Sequence, residues 1–172
     1  SGLQKSALII IAARPSMGKT TLALDIARQS ASKHNKITVI FSLEMSTQQL
    51  VDRMLSAESK VNAWNLRTGR LSAESEFAKI RDSLDRLAKA PIFVDDLAGN
   101  SITRMRSVCR RIRAEHKGLD LIIVDYLQLM STAKSYDSMV NQVTEISRSL
   151  KGLAKEFDVP VVALSQLSRA VE

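Results

Sequence analysis

The sequence predicts an α/β fold with a mostly parallel sheet covered by helices on both faces. Apolar runs alternate along the chain with segments of helical spacing, and each run is apolar almost throughout, as in strands buried on both faces. The 172 residues, 45% apolar and 25% charged, have the composition of a globular domain. No apolar run approaches the ~20 residues that a membrane-spanning helix requires. The N-terminus also lacks the layout of a signal peptide.

The elements follow in order from apolar spacing and from caps. Strands are predicted at 7–12, 37–42, 92–94, 119–126 and 159–165. Helices are predicted at 21–33, 46–57, 61–69, 72–89, 101–118 and 138–157. Ser46 with Gln49 forms a capping box, and Ser101 caps the fifth helix. Gly69 and Gly118 are the predicted stops of the helices that precede them. Because the sequence ends soon after its last strand, we expect it to be part of a larger domain.

Two predicted helices carry apolar stripes. Phe77, Ile80, Leu84 and Leu87 share one side of the fourth helix. The fifth helix turns these residues inward: Ile102, Met105, Val108, Cys109 and Ile112. Cys109 is the only cysteine, which fits a reducing compartment, and its place on the stripe indicates a core residue rather than a nucleophile.

The net charge of +7 permits binding to nucleic-acid phosphates, whereas only 4% of the residues are aromatic and could stack on bases. The main basic cluster lies on the fifth helix and consists of Arg104, Arg106, Arg110, Arg111 and Arg113. We interpret it as a solvated face, with contact to a neighbouring subunit or to DNA as the alternative.

A phosphate-binding loop is predicted between the first strand and the first helix. The stretch AARPSMGKTT at 12–21 matches the pattern G-x-x-x-x-G-K-[ST], except that Ala13 replaces the first glycine. A methyl group is tolerable there if φ is negative. Lys19 would reach the β- and γ-phosphates of a nucleotide, and the Thr20 hydroxyl would bind Mg²⁺. The residues predicted to surround the phosphates are Ser16, Met17, Gly18, Lys19, Thr20 and Thr21. The alternative is an ordinary turn with a lysine at a helix start.

Polar side chains follow three other strands, at the edge of the sheet that carries this loop. Asp125 ends the run LIIVD, Glu44 follows VIFSL, and Gln166 follows VVALS. Hydrolysis of a γ-phosphate needs a metal and a positioned water. We therefore expect Asp125 to hold Mg²⁺, Glu44 to deprotonate the water, and Gln166 to sense the γ-phosphate. Asp95 and Asp96 form another acidic pair, for which a structural or capping role is expected.

These motifs together resemble the C-terminal motor domain of the bacterial replicative DNA helicases of the DnaB family. The resemblance runs in order from residue 1 to 172 through ARPSMGKTT, FSLEMS, RTG, IIVDYLQLM, EISRSLKGLAKE and VPVVALSQLSR. It implies a RecA-like core that uses ATP and Mg²⁺ at the subunit interfaces of a homohexameric ring. The ring would surround single-stranded DNA in the bacterial cytoplasm, at the nucleoid, and would move 5′ to 3′.

The resemblance also assigns residues and partners. It makes Glu44 the catalytic base, with catalytic contributions from Lys19 and Gln166. It also matches Asp125 to the second acidic motif of the family. The segment 131–141 corresponds to the side of the pore, so Lys134 is a candidate DNA contact, with a solvated loop lysine as the alternative. Primase and the helicase loader are the partners implied for the full-length protein.

Parts of the family pattern are missing from these 172 residues. The N-terminal primase-contacting domain, a second DNA-binding loop and the arginine finger are not found in them, so we expect an incomplete motor domain with trace activity by itself. The stretches SLEMS and DYLQLM favour a replicative helicase over a repair ATPase of the RadA type or a phage helicase. A nucleotide-binding or partner-binding fragment without turnover is the other alternative.

Overall fold

Strands and helices alternate along the chain in the predicted order. The structure is a computed structural model that describes residues 2–68, 74–125, 127–129 and 139–166. The strands are β1 (Leu8–Ala13), β2 (Thr38–Ser42), β3 (Ile92–Asp95), β4 (Leu121–Asp125) and β5 (Val161–Gln166). The helices are α1 (Lys19–His34), α2 (Thr47–Ser59), α3 (Ala63–Thr68), α4 (Glu74–Lys89), α5 (Ile102–His116) and α6 (Met139–Phe157), with a 3₁₀ turn at Leu127–Leu129. The predicted stop at Gly69 lies outside the described residues.

The described strands form one sheet in the order β1-β5-β4-β2-β3, and every neighbouring pair is parallel. The α/β fold class is therefore confirmed. Because the strands are parallel, their carboxyl ends lie at one edge of the sheet, where open α/β sheets bind ligands. The loops that follow β1 and β2 and the last residues of β4 and β5, Asp125 and Gln166, lie at that edge.

Alternate residues of the central strands build two cores, one on each face of the sheet. On one face Phe41 and Val124 pack with α5 and α6. On the other face Ile40 and Ile123 pack with α1 and α2. The strands β2 and β4 are buried along their whole length. Their continuous apolar runs are explained by this burial on both sides.

The first strand departs from the prediction of burial on both faces. β1 is an edge strand that pairs with β5 alone among the described strands. Ile9 and Ile11 pack against the core, whereas Ile10 is 48% exposed. Because Leu8 packs against the core on the opposite face, the side of β1 that carries Ile10 is covered only in part.

One apolar stripe is only partly covered, and one predicted helix stop was wrong. Phe77 and Leu84 of α4 are 57% and 46% exposed, because α4 packs mainly on α2 and so covers only part of its apolar stripe. The fifth helix ends at His116, before Gly118. The residue that closes it is Lys117, with a left-handed φ of 56°.

Side-chain caps fix the starts of two helices as predicted. Ser46 and Gln49 form a complete capping box at α2, and the Ser101 hydroxyl accepts the Arg104 N–H at α5. The start of α2 has a further partner, because Asp96 accepts hydrogen bonds from the backbone N–H and the hydroxyl of Thr47. The structural role expected for Asp96 is confirmed.

Cys109 is fully buried in the core between the sheet and α5. Burial, aided by the Glu156 charge, raises the pKa of its thiol to about 12. A thiol of that pKa is not a nucleophile at neutral pH, as the sequence predicts. Among the described residues, no helix is both long and apolar enough to cross a membrane.

Candidate nucleotide-binding site

The loop between β1 and α1 has the backbone of an anion site. Ser16 and Gly18 adopt left-handed conformations, with φ of 63° and 81°, and α1 begins at Lys19. No side chain of the described residues caps this helix, so N–H groups of its first turn stay available to a ligand. A Cβ on Gly18 would meet nothing within 4 Å. The glycine is thus required by its φ rather than by space.

Ala13 occupies the place of the missing glycine without strain. It is the last residue of β1, pairs in register with Gln166, and is not among the residues with positive φ. The expectation that a methyl group is tolerated there is confirmed.

A cavity of about 320 Å³ opens over this loop. Its volume is at the lower end of the range of small-molecule sites. It is lined by Pro15, Ser16, Gly18, Lys19, Thr20, Thr21, Glu44, Met45, Arg53 and Gln166. The structure therefore brings Glu44 and Gln166 to the phosphate loop, as the strand-end argument predicts. Met17 has a 71% exposed side chain, and the role predicted for its backbone N–H stays a prediction.

Asp125 lies beneath the cavity and is joined to the phosphate loop. The Thr20 hydroxyl donates a 2.8 Å hydrogen bond to Asp125 Oδ2. Asp125 is only 3% exposed, and its Oδ1 atom is buried without a hydrogen-bond partner among the described residues. Burial raises the pKa of this carboxyl, while the Thr20 hydrogen bond acts in the opposite direction. An orphaned carboxylate oxygen beside a hydroxyl suits a hard cation such as Mg²⁺.

A cation held here would need ligands from solvent and substrate. The described part of the chain contains no group of three or more His, Cys, Asp or Glu residues that could enclose a metal ion. Mg²⁺ usually keeps several waters and binds substrate phosphates, with only one or two protein ligands. The pair of Thr20 and Asp125 fits that mode of binding.

The loop after β2 presents Glu44 to the cavity. Leu43 is buried, and its N–H donates a 2.7 Å hydrogen bond to the Asp125 carbonyl. The Ser42 hydroxyl donates to the Met45 carbonyl at 2.7 Å, which closes the turn on the other side. Glu44 stands between these two fixed points and is itself exposed. The loop can thus hold a carboxylate over the cavity without burying it.

Arg53 is a lining residue that the sequence analysis missed. It projects from α2, is exposed, and makes no hydrogen bond or ion pair with another described residue. The charges of Lys19 and Arg53 both favour the ionised form of Asp125. Nothing in its local sequence marks Arg53, since it lies inside a helix rather than after a strand. Only the packing of α2 beside the loop brings it to the cavity.

The basic cluster of α5 faces solvent, as the sequence predicts, because its arginines are exposed except for the half-buried Arg106. Arg106 and Arg110 both bind Glu156 of α6, at 2.7 and 2.6 Å. Arg104 pairs with Asp95 at 3.2 Å, which gives Asp95 the structural role expected of it. Part of the cluster therefore joins α5 to its neighbours. Lys134, the candidate DNA contact, lies outside the described residues.

The sequence profile of the DnaB-like helicase C-terminal domain matches residues 1–172. The chain belongs to this family. This DnaB-like domain is 52% identical, over its whole length, to the replicative DNA helicase DnaB of Geobacillus stearothermophilus. It is 49% identical to the replicative DNA helicase DnaC of Bacillus subtilis strain 168, also over its whole length. The chain spans 38% of the length of each of these relatives.

Solved structures show the same relationship for the DnaB-like domain. One of them, described as an ATPase domain, superposes with a TM-score of 0.89 and 36% identity, over 96% of this chain and 59% of that one. A DnaB-like replicative helicase, described with its interactions with primase, superposes with a TM-score of 0.91 and 36% identity. That match covers 97% of this chain and 40% of the other. The predicted RecA-like architecture is confirmed by these neighbours.

Proposed function

We propose that this DnaB-like domain binds ATP with Mg²⁺ and hydrolyses the γ-phosphate, as the motor of a replicative DNA helicase. The observation that carries the proposal is one cavity that gathers the Lys19 loop with Glu44 and Gln166, above the buried Asp125. These groups come from four different strand ends, which the parallel sheet brings to one edge, and together they are the side chains that γ-phosphate hydrolysis needs. Family membership supports the same function.

The phosphate loop would bind the nucleotide through charge and backbone N–H groups. Lys19 supplies a side-chain cation at the helix start, where the N–H groups also favour an anion. Thr20 and Asp125 would hold Mg²⁺ between the loop and β4. Bound there, the metal would neutralise charge on the β- and γ-phosphate oxygens.

The two carboxylates of the site differ in exposure, and this difference separates their roles. Asp125 is buried and already accepts a hydrogen bond from Thr20, so it is suited to hold a cation and not to exchange a proton with water. Glu44 lines the open cavity and can reach a water there. We therefore assign the general base to Glu44. Gln166 would contact the γ-phosphate through its amide.

Arg53 would add a second cation to the phosphate end of the cavity. It lies on α2, lines the same cavity as Glu44, and has no carboxylate partner among the described residues. Guanidinium groups bind phosphate oxygens in pairs of hydrogen bonds. An unpaired arginine in a cavity with this loop is suited to that contact.

The same proposal extends to the activity of the whole protein. We infer a homohexameric ring that encloses single-stranded DNA at the nucleoid and moves 5′ to 3′, with a neighbouring subunit completing each ATP site. Primase and a helicase loader are the proposed protein partners. The proposal of primase is supported by the structural neighbour that is described with its interactions with primase.

The test is the release of phosphate by the intact protein that carries this sequence, with single-stranded DNA and saturating ATP. Lys19→Ala should nearly abolish turnover and weaken nucleotide binding. Lys79→Ala, an exposed lysine of α4, is the matched control and should behave as wild type. Nucleotide binding without turnover in the wild-type protein would favour a binding module over an enzyme. Normal hydrolysis by Lys19→Ala would refute the phosphate site.

A further inference from the structure

The strand that carries Gln166 extends past its neighbour. β4 and β5 pair from Ile122 with Val161 through Val124 with Ala163. β4 then ends at Asp125, and the chain turns into the 3₁₀ turn at Leu127–Leu129. The last residues of β5, Ser165 and Gln166, therefore have none of the described strands beside them on this side.

A side chain fills the place of the missing strand. The Gln128 amide donates a 2.9 Å hydrogen bond to the Gln166 carbonyl and accepts one from the Gln166 N–H at 3.3 Å. It also donates to the Ser165 hydroxyl at 3.0 Å. Both backbone groups of Gln166 are thus bound by one amide, as a peptide group of a neighbouring strand would bind them.

Few side chains can make this pair of contacts. A primary amide presents a donor and an acceptor side by side, and only Asn and Gln have one. The reverse orientation of the Gln128 amide would set two carbonyl oxygens against each other, so the contacts define its orientation. A glutamate of the same shape would keep the acceptor and lose both donors.

The Gln128 amide is itself held firmly. The preceding residue, Leu127, is 1% exposed and belongs to the main core. Three residues before Gln128 stands Asp125, which binds Thr20 of the phosphate loop. On the opposite side of β5, Gln166 pairs in register with Ala13, where β1 enters the same loop. The backbone of Gln166 is therefore hydrogen-bonded to Gln128 on one side and lies beside β1, which leads into the phosphate loop, on the other.

We propose that Gln128 is a positioning residue for the hydrolysis of ATP, which acts by holding Gln166 where its side chain meets the γ-phosphate. This inference rests on the proposed function. Gln128 does not line the cavity, so it acts through Gln166 alone. A γ-phosphate contact requires a fixed side chain, because a displacement of about 1 Å can cost ~10²-fold in rate.

The experiment compares Gln128→Glu and Gln128→Met with Gln166→Ala in the intact protein. Gln29→Glu is the matched control, since Gln29 is a half-buried glutamine of α1 whose amide also donates to a neighbouring side chain. The measurements are kcat, and the affinities for ADP and for a non-hydrolysable ATP analogue. Thermal unfolding monitors the fold, and Gln128→Met serves if the buried charge of Gln128→Glu prevents folding.

We expect both Gln128 variants to lower kcat by roughly 10-fold or more, because Gln166 is displaced. The preference for the ATP analogue over ADP should shrink, while ADP affinity stays near that of the control. In the Gln166→Ala background, the same substitutions should change kcat by less than about 2-fold, because effects that act through one group are not additive.

Two results would overturn the inference while leaving the proposed function intact. One is a nucleotide preference and kcat equal to those of Gln29→Glu. The other is an equal loss of kcat with and without Gln166. If Gln166→Ala itself hydrolyses ATP normally, the sensor role fails, and this inference fails with it.

Discussion

Asp125 accepts a hydrogen bond from Thr20 through one oxygen and buries the other without a partner among the described residues. The raised pKa of this carboxyl, caused first by burial, means that its charged form is unfavourable in the folded protein without a cation. A group whose pKa is higher in the folded than in the unfolded protein contributes stability at pH values below its unfolded pKa. That stability is lost as the pH rises through its folded pKa. The ionised Asp125 therefore opposes folding at neutral pH.

Asp125→Asn should consequently stabilise the metal-free protein at pH 7 while it impairs hydrolysis. Asparagine can accept the Thr20 hydrogen bond and carries no charge to desolvate. The increase in unfolding temperature over wild type should be larger at pH 7 than near pH 4, where the wild-type carboxyl is increasingly protonated. Thermal unfolding at both pH values, in a chelator, measures this. A lower unfolding temperature for Asp125→Asn at pH 7 would contradict the argument.

Glu44→Gln should separate binding from turnover. The amide keeps the shape of the side chain and removes the proton acceptor, so hydrolysis should fall by ~10²-fold or more. Affinity for the non-hydrolysable ATP analogue should change little. Glu115→Gln, an exposed glutamate of α5, is the matched control. Loss of nucleotide binding with normal turnover of the bound fraction would instead make Glu44 a structural residue.

Arg53→Gln should weaken the binding of ATP more than the binding of ADP, if the guanidinium meets the terminal phosphate. A lost charge-assisted hydrogen bond costs about 1.5–3 kcal/mol, which is on the order of 10- to 100-fold in affinity. Arg81→Gln, on the exposed side of α4, provides the comparison. Titration with both nucleotides is the measurement. Equal affinities in Arg53→Gln and wild type would remove Arg53 from the site.

Away from the cavity, Glu58 ties three helices together. It accepts hydrogen bonds from Arg28 of α1 and Arg86 of α4. Burial alone would raise the pKa of Glu58, but the two arginines outweigh it and lower the pKa. A lowered pKa gives stability that is present above the unfolded value of about 4.3 and is lost as the pH falls through the folded value.

Glu58→Gln should destabilise the fold by about 3 kcal/mol at pH 7, at the lower end of the range for broken buried pairs because Arg86 is half exposed. The loss in the free energy of unfolding relative to wild type should become smaller at acidic pH. Glu115→Gln again serves as the control, because Glu115 is exposed, whereas the other glutamate considered, Glu76 of α4, makes contacts of its own. Urea unfolding at pH 7 and below pH 4 tests this, and a deficit independent of pH would show that charge is not its cause.

The sequence determined much of this fold because the relevant signals are local. The runs of β2 and β4, and the capping box of Ser46 and Gln49, act within a few residues and appear as predicted. β1 has the same kind of apolar run, but its exposure depends on its place at the edge of the sheet. That place is set by which strands pair, and no local pattern records it.

The residues of the candidate site also fall into those that local sequence patterns predict and those that only the packing of the fold reveals. Lys19, Glu44 and Gln166 could be predicted because parallel strands bring their ends to one edge. Arg53 reaches the cavity from the middle of α2, through the packing of that helix. Gln128 had a weak signal, since a polar residue between Leu127 and Leu129 interrupts an apolar stretch. Its function depends on where β4 leaves the sheet, which only the strand register reveals.

The uncapped start of α1 has a thermodynamic consequence. Serine side chains close the starts of α2 and α5, whereas Gly18 leaves that of α1 without a side-chain cap from the part of the chain that the structure describes. A phosphate bound there would complete the first helix, so the ligand becomes a part of the folded structure. Its binding energy then adds to the free energy of unfolding as RT ln(1 + [L]/Kd), which is about 2.7 kcal/mol at a hundredfold excess over Kd. The domain would thus resist heat in proportion to the logarithm of the nucleotide supply, and depletion of nucleotide would remove this contribution to its stability.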